Sequence, residues 1–345
     1  MGKQDITTLS QEELAQAVKA MGVPAFRASQ ITGWLRRGVS SFDEMTNLPA
    51  AMRSVLSQQY VIPSVCIEKK LVSKLDGTVK YLFRLSDGEL IEAVLMQYQH
   101  GTSMCISTQA GCKMGCAFCA TGMGGYRRNL TAYEMVGQIL AAQKDENRRV
   151  SNVVLMGMGE PLDNYENVLS FLCMVSDPEG LNIGMRHISL STCGVVDKIY
   201  DLMEHRFQLT LSVSLHAPND EIRGKIMPIN KKWGIDALLT ACRDYTAATK
   251  RRISFEYAMI DGVNDSDACA RQLAQRLRGM LCHVNLIPAN DVNGKPFQKS
   301  GRERLLRFSE ILTKKGITTT VRRSLGADIE AACGQLRGKH RAVTS

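Results

Sequence analysis

The sequence predicts an α/β protein built on a parallel sheet, either doubly wound or curled into a full or partial barrel, with a small helical module and a short β-meander ahead of it. Three textures predict this. From Thr102 onward, short apolar runs alternate with longer amphipathic ones, the strand–helix alternation of a parallel sheet. Residues 61–100 alternate apolar and polar positions and are broken by Asp76-Gly77 and Asp87-Gly88, turn signals of an antiparallel ribbon. From Ser10 to about Tyr60 the apolar residues recur at helical spacing.

Taken in order, Gln11-Glu12-Glu13-Leu14 opens one helix, Ser29-Gln30-Ile31 leads into Trp34-Leu35, and Leu48-Pro49-Ala50 precedes Met52 and Leu56. Residues 1–60 are expected to form an accessory helical domain, 61–100 a meander linker and 101–345 the main domain. Within the main domain, Asn152–Met156, His187–Ser191, Leu209–Leu215, Ile253–Ile260, His283–Pro288 and Thr318–Val321 read as strands. Helices lie between them. One opens at Thr131 with Glu134 three residues on and another at Ser300 with Glu303, the spacing at which a hydroxyl and a carboxylate cap each other's backbone amides.

Composition narrows the partners. The chain of 345 residues is 44% hydrophobic, which suits a folded globular protein, and carries 43 Lys and Arg against 34 Asp and Glu. The net charge of +9, with pairs such as Arg127-Arg128, Arg251-Arg252 and Arg322-Arg323, suits a polyanion, nucleic acid first. No apolar run reaches the roughly 18 residues that span a bilayer. The expectation is a cytoplasmic protein with no membrane partner. Eleven cysteines without an export signal argue for metal or redox chemistry rather than a secreted disulfide framework.

Spacing selects among those cysteines. Cys112, Cys116 and Cys119 fall in one loop with Gly111, Gly115 and Gly122, so three thiolates can converge on one inorganic centre. A four-iron cluster held by three cysteines leaves one iron open, and S-adenosylmethionine can occupy it through its amino and carboxylate groups. A zinc site completed by a distant ligand is the competing reading, although closed zinc sites usually pair their ligands as two short hooks. Gly157-Met158-Gly159-Glu160-Pro161 follows a strand, where Glu160 can meet an ammonium group and the glycines can bring backbone close to a ligand. Ser191, Ser214, His216 and Asn290 also fall at or just past strand ends. His216 is equally compatible with a satisfied core histidine.

These motifs resemble one family. The triad resembles the radical S-adenosylmethionine (SAM) superfamily signature. Cys105-Ile106-Ser107-Thr108-Gln109, Gly157–Pro161, Ser191-Thr192-Cys193-Gly194, Ser214–Asn219 and Asp328–Leu336 are similar, in order, to the RlmN/Cfr family of RNA methyltransferases. The resemblance implies a partial (β/α)6 TIM-type barrel, a [4Fe-4S] cluster on Cys112, Cys116 and Cys119, and two SAM molecules per turnover. It implies SAM contacts at Gly159, Glu160, Ser191, Ser214, Leu215, His216 and Asn290. It assigns Cys333 as methyl carrier, Cys105 as resolving thiol through a Cys105–Cys333 disulfide, and Glu92 as proton acceptor. The implied substrates are 23S rRNA and tRNA, methylated at adenine C2 in the peptidyl-transferase centre and just 3′ of the anticodon. The helical module is a candidate RNA grip. The implied helpers are a flavodoxin- or ferredoxin-type electron donor and a thiol reductant, with the protein a monomer. C8 methylation of the same rRNA adenine and a non-catalytic, zinc-stabilised RNA-binding protein are the alternatives. The remaining cysteines, Cys66, Cys173, Cys193, Cys242, Cys269 and Cys282, are expected to be small buried hydrophobes.

Overall fold

The computed structural model describes residues 3–99, 101–290 and 296–336. His100, the end of the expected meander, and residues 337–345, the end of the expected main domain, lie outside the described residues.

The N-terminal residues close on themselves. Strand β1 (Gln4–Asp5) pairs in parallel with β2 (Tyr60–Val61), and helices α1 (Gln11–Ala20), α2 (Phe26–Arg36) and α3 (Ala50–Gln59) lie between. Helix α1 starts where it does because Ser10 and Glu13 cap one another, with Glu13 N donating to Ser10 Oγ (3.2 Å) and Ser10 N to Glu13 Oε2 (2.8 Å). Leu14, Val18, Ile31, Leu35 and Leu56 belong to a core separate from that of the main sheet.

Strands β3 (Cys66–Val72), β4 (Val79–Arg84) and β5 (Leu90–Tyr98) form the antiparallel meander, and β5 continues antiparallel onto β6 (Gly101–Cys105). Next come β7 (Gln109–Gly111) and β8 (Tyr126–Asn129), a small antiparallel ribbon that brackets the three-cysteine loop. Six strand–helix units follow in a regular rhythm, the first using β6 itself. These are β6 with α4 (Ala132–Glu146), β9 (Asn152–Leu155) with α5 (Tyr165–Ser176), and β10 (Ile188–Thr192) with α6 (Val196–Glu204). Then come β11 (Thr210–Ser214) with α7 (Asp220–Ile226) and α8 (Ile235–Thr249), β12 (Ile253–Met259) with α9 (Asp267–Leu277), and β13 (Cys282–Pro288) with α10 (Arg302–Lys314). Strand β14 (Thr319–Val321) ends the series.

All these strands except the two small pairs share one sheet, ordered β14-β13-β12-β11-β10-β9-β6-β5-β4-β3. The parallel part is a partial barrel. Strand β12 is buried along its whole length, as a central parallel strand covered on both faces should be. The curl shows in contacts across the interior. Arg322, just past β14, donates to Met156 Sδ at the end of β9 (3.4 Å), and Cys105, Ile287 and Arg322 line one cavity. Among the described residues β14 bonds only to β13, so the barrel stays open along one side.

The two expected capping boxes fare differently. Thr131 and Glu134 form theirs, with Glu134 N donating to Thr131 Oγ1 (3.2 Å) and Thr131 N to Glu134 Oε2 (2.9 Å). Ser300 does not cap α10. Its hydroxyl donates to the buried Asp265 Oδ2 (2.8 Å), and the helix starts one residue later from Gly301 without a side-chain cap.

Candidate active site

The three-cysteine loop is held over the C-terminal ends of the barrel strands by its own backbone. Ala117 N donates to Ile226 O (2.8 Å) and Ala120 N to Gly334 O (2.7 Å). Gly111 has φ +82°, and a Cβ there would lie 1.9 Å from Gly125 O, so only glycine lets the two sides of the ribbon close beneath the loop. Cys112, Cys116 and Cys119 line one cavity, opposite residues from the ends of β9 to β13. Burial pushes the Cys112 thiol up to about 12 and raises Cys116 as well, so a metal centre must displace protons to bind them. Among the described residues no three His, Cys, Asp or Glu side chains are grouped to hold a single metal ion. The donor set itself, three sulfurs in one loop, fits an iron–sulfur cluster.

Glu160 stands in the cavity wall, 3% exposed. Its Oε1 accepts from Leu162 N (3.0 Å) and its Oε2 from Cys193 N (2.7 Å), which fixes the carboxylate and leaves lone pairs for a further donor. Burial raises its pKa, and the two backbone donors oppose that rise. Gly157 and Gly159 line the same cavity, and their smallness also serves the packing behind it. A Cβ on Gly157 would meet Ile106 O at 2.5 Å, and one on Gly159, at φ +106°, would meet Gln109 Cβ at 2.6 Å. Their smallness lets the β9 turn pack on the segment after β6, which places Glu160. Gln109 Oε1 then accepts from Glu160 N (2.9 Å).

His216 sits at φ +56°, a left-handed conformation unusual for a residue with a side chain. Its Nδ1 accepts from Ala258 N (2.9 Å), which leaves the proton on Nε2. Burial drives its pKa down to about 3, so the ring is neutral. It packs edge-on against Phe118 of the cysteine loop, with ring centroids 4.8 Å apart, and lines the cavity. It is thus a hydrogen-bonded buried histidine and a cavity residue at once. Ser191, Ser214 and Asn290 line the same cavity. Leu215 does not. It is 1% exposed and lies behind the wall, its N–H donating to Glu256 O (3.1 Å) and its carbonyl accepting from Arg223 Nε (3.2 Å).

Cys333 lines this cavity too, held by Asn290 Nδ2 donating to its carbonyl (3.0 Å). It also faces a second cavity, where Cys105 is found with Arg322. Both thiols are free, and burial pushes Cys105 up to about 12, with Cys333 adding to the rise. Glu92 is placed elsewhere. It lines a third recess with Lys80 and Glu330, and its carboxylate lies 3.2 Å from Lys80 Nζ.

Several residues escaped the sequence reading. Arg223 is fully buried and donates to the carbonyls of Cys193, Ser214 and Leu215 and to Asn230 Oδ1, tying the ends of β10 and β11 together. Arg322, noticed only as half of a basic pair, borders both cysteine cavities. Arg128, from another such pair, is spent on a two-bond fork to Glu134, with both distances 2.8 Å. Glu134 lies six residues from Arg128, and most partners of Arg223 lie within nine residues of it, but at no spacing that marks a pair in sequence, and Met156 lies 166 residues from Arg322. Among the remaining cysteines, Cys66 and Cys173 are exposed and Cys282 half-buried, contrary to expectation. Cys66 starts the sheet's edge strand, and Cys173 lies on the outer side of α5. Cys193, Cys242 and Cys269 are buried, and Cys193 lines the first cavity.

Comparison with known proteins agrees over the whole length. Residues 106–271 match the radical SAM superfamily, and residues 4–62 match the ribosomal RNA large subunit methyltransferase N-terminal domain. A probable dual-specificity RNA methyltransferase RlmN from Alkaliphilus oremlandii is 52% identical over 340 residues, covering 99% of each chain. One of the same description from Clostridium tetani is 48% identical over 97% of this chain and 96% of its own. The crystal structure of a radical SAM methyltransferase from Sphaerobacter thermophilus superposes with a TM-score of 0.90 at 46% identity, over 97% of this chain and 100% of that one. With cysteine loop, barrel and helical module all matched, this chain belongs to the RlmN family of the radical SAM superfamily.

Proposed function

We propose that this chain methylates C2 of adenine in 23S rRNA, in the peptidyl-transferase centre, and in tRNA, just 3′ of the anticodon. The observation that carries this reading is the position of Cys333, which borders both the cavity of the three cluster cysteines and the cavity holding Cys105. An ordinary SAM methyltransferase needs no such pair, whereas carbon methylation through a thiol carrier needs one thiol to hold the methyl group and another to release it. When bound, a [4Fe-4S] cluster on Cys112, Cys116 and Cys119 and two SAM molecules per turnover supply the methyl group and the radical that activates it.

The protein's residues divide the remaining work. Glu160 orients the cofactor's ammonium group, and Ser191, Ser214, His216 and Asn290 hold its polar edges. Cys333 carries the methyl carbon to adenine C2; once the carbon–carbon bond forms, the ring must give up one electron, which returns to the oxidised cluster, and the C2 proton, which Glu92 accepts. The Cys105 thiolate then attacks the Cys333 sulfur. The S–S bond forms as the sulfur–methylene bond breaks, and its electron pair takes a proton to complete the methyl group. A thiol reductant resets the disulfide, and a flavodoxin- or ferredoxin-type protein supplies the cluster electron. Exposed basic residues and the helical module grip the RNA. The test is mass spectrometry of RNA from a strain lacking this protein, with and without complementation. Restored 2-methyladenine supports the assignment, and restored 8-methyladenine overturns it. Anaerobic purification yielding zinc in place of iron and sulfide would overturn the radical reading altogether.

A further inference from the structure

The segment that bears Cys333 is tied down on two sides. Toward the cluster loop, Gly334 O accepts from Ala120 N (2.7 Å) and Leu336 O from Thr121 Oγ1 (2.8 Å). Toward the meander, Asp328 accepts from Ser73 Oγ (2.6 Å) and Lys74 N (2.9 Å), and Gly326 N donates to Asp76 Oδ2 (2.9 Å). Between these anchors, Lys80 Nζ donates to Glu330 O (2.9 Å). The same ammonium lies 3.2 Å from Glu92 Oε1, both side chains being under a tenth exposed.

Register explains why one lysine can do both. On β4, Lys80 pairs across to Val94 of β5, and Val94 pairs onward to Cys105 of β6. Lys80, Val94 and Cys105 thus form one row across one face of the sheet, and Glu92 stands two residues along β5 on that face. The Cys333 segment lies over it. Glu330 has φ +50°, a strained conformation for a residue with a side chain, and its carbonyl is the one Lys80 holds. A lysine buried this deeply needs a charge partner and hydrogen-bond acceptors, and these two groups supply them.

We propose that Lys80 is a positioning residue that holds the Glu92 carboxylate against the Cys333 segment, where it can act as proton acceptor. The proposal rests on the assignment of Glu92 as the acceptor of the C2 proton. Glu92 belongs to a recess separate from the thiols, and Lys80 joins its carboxylate to the backbone of Glu330, a residue of the same recess three positions before Cys333. When the C2 proton reaches Glu92, the Lys80–Glu92 attraction is lost while the hydrogen bond to Glu330 O remains.

The test uses the full-length holoenzyme, anaerobically, with an RNA fragment substrate, following decay of the covalent RNA–protein species on denaturing gels across a pH series. Lys69, Asp328 and Glu330 line the recess as well, and removing one of the two lysines beside a carboxylate raises that carboxylate's pKa. In Lys80→Met the acid limb of the decay profile should therefore move to higher pH, slowing decay on that limb about tenfold per unit of displacement. Lys80→Arg should restore the wild-type limb. S-methylation of Cys333, read by peptide mass spectrometry, should persist in both. An unmoved acid limb in Lys80→Met overturns the proposal, as does slow decay that is equal at every pH. If Lys80→Met does not fold, Lys80→Gln keeps a donor for Glu330 O without the charge and carries the same comparison. Glu92→Gln is the control: wild-type decay there would mean that Glu92 is not the acceptor, a failure distinct from that of Lys80.

Discussion

Replacing Arg223 by leucine should open the cavity floor. The guanidinium serves Cys193 O (2.6 Å), Leu215 O (3.2 Å), Ser214 O (3.3 Å) and Asn230 Oδ1 (3.1 Å). No Asp or Glu carboxylate is among these partners, so the ion is held by neutral oxygens, and burial lowers its pKa accordingly. Hydrogen bonds to a charged donor contribute about 1.5–3 kcal/mol each, but desolvating the cation costs several kcal/mol, so a net loss of about 3 kcal/mol is expected. That corresponds to a melting temperature lower by roughly 4 °C for a chain of this size. Thermal unfolding of the metal-free protein, followed by circular dichroism, measures it. Arg223→Lys should recover only part, because a point charge cannot span acceptors on two strand ends. Since the unsatisfied carbonyls border Ser214 and the Cys193 turn, SAM affinity should fall as well. An Arg223→Leu protein melting within about 1 °C of the parent would refute the reasoning.

Three further outcomes are expected. His216 stays neutral down to about pH 3 when folded, but takes up a proton below its ordinary value of 6.5 when unfolded. Its share of stability is therefore present at neutral pH and lost at ~1.4 kcal/mol per pH unit as pH falls from 6.5 toward 3. His216→Asn, which tolerates the left-handed backbone, should flatten the urea-midpoint profile between pH 7 and 5, and identical slopes would contradict this. Gly157→Ala should cost about 1–3 kcal/mol by urea unfolding, because its methyl group would meet backbone rather than a movable side chain. Cys333→Ala should abolish both adduct and methylated RNA, while Cys105→Ala should accumulate the covalent RNA–protein species. Normal turnover by Cys105→Ala would remove that thiol from the mechanism.

What could be read from sequence was whatever is local. The cysteine loop declares itself through spacing, and the Thr131–Glu134 cap through two residues one turn apart. Strand alternation marked the units from β9 to β14, but β6 was overlooked as a barrel strand because its run Gly101–Cys105 merges with the meander. Whether the sheet curls depends on contacts such as that of Arg322 with Met156, 166 residues apart, and no window of sequence contains both. The partners of Arg223, Lys80 and the hydroxyl of Ser300 are likewise set by tertiary packing. Only family resemblance points to Glu92 in the sequence. Its burial beside Lys80 and apart from the thiols is a property of the register between β4 and β5, which no spacing along the chain encodes.

The open side of the barrel has a consequence for size. A closed barrel admits ligands only along its axis, so whatever reacts must be narrower than the mouth. Here, among the described residues, the sheet ends at β14, and the segment carrying Cys333 shares a cavity with the residues just past that strand. Moving one segment is a smaller rearrangement than parting two paired strands. A folded polymer far wider than the barrel could therefore stay outside and present one base along the flank that Cys333 borders.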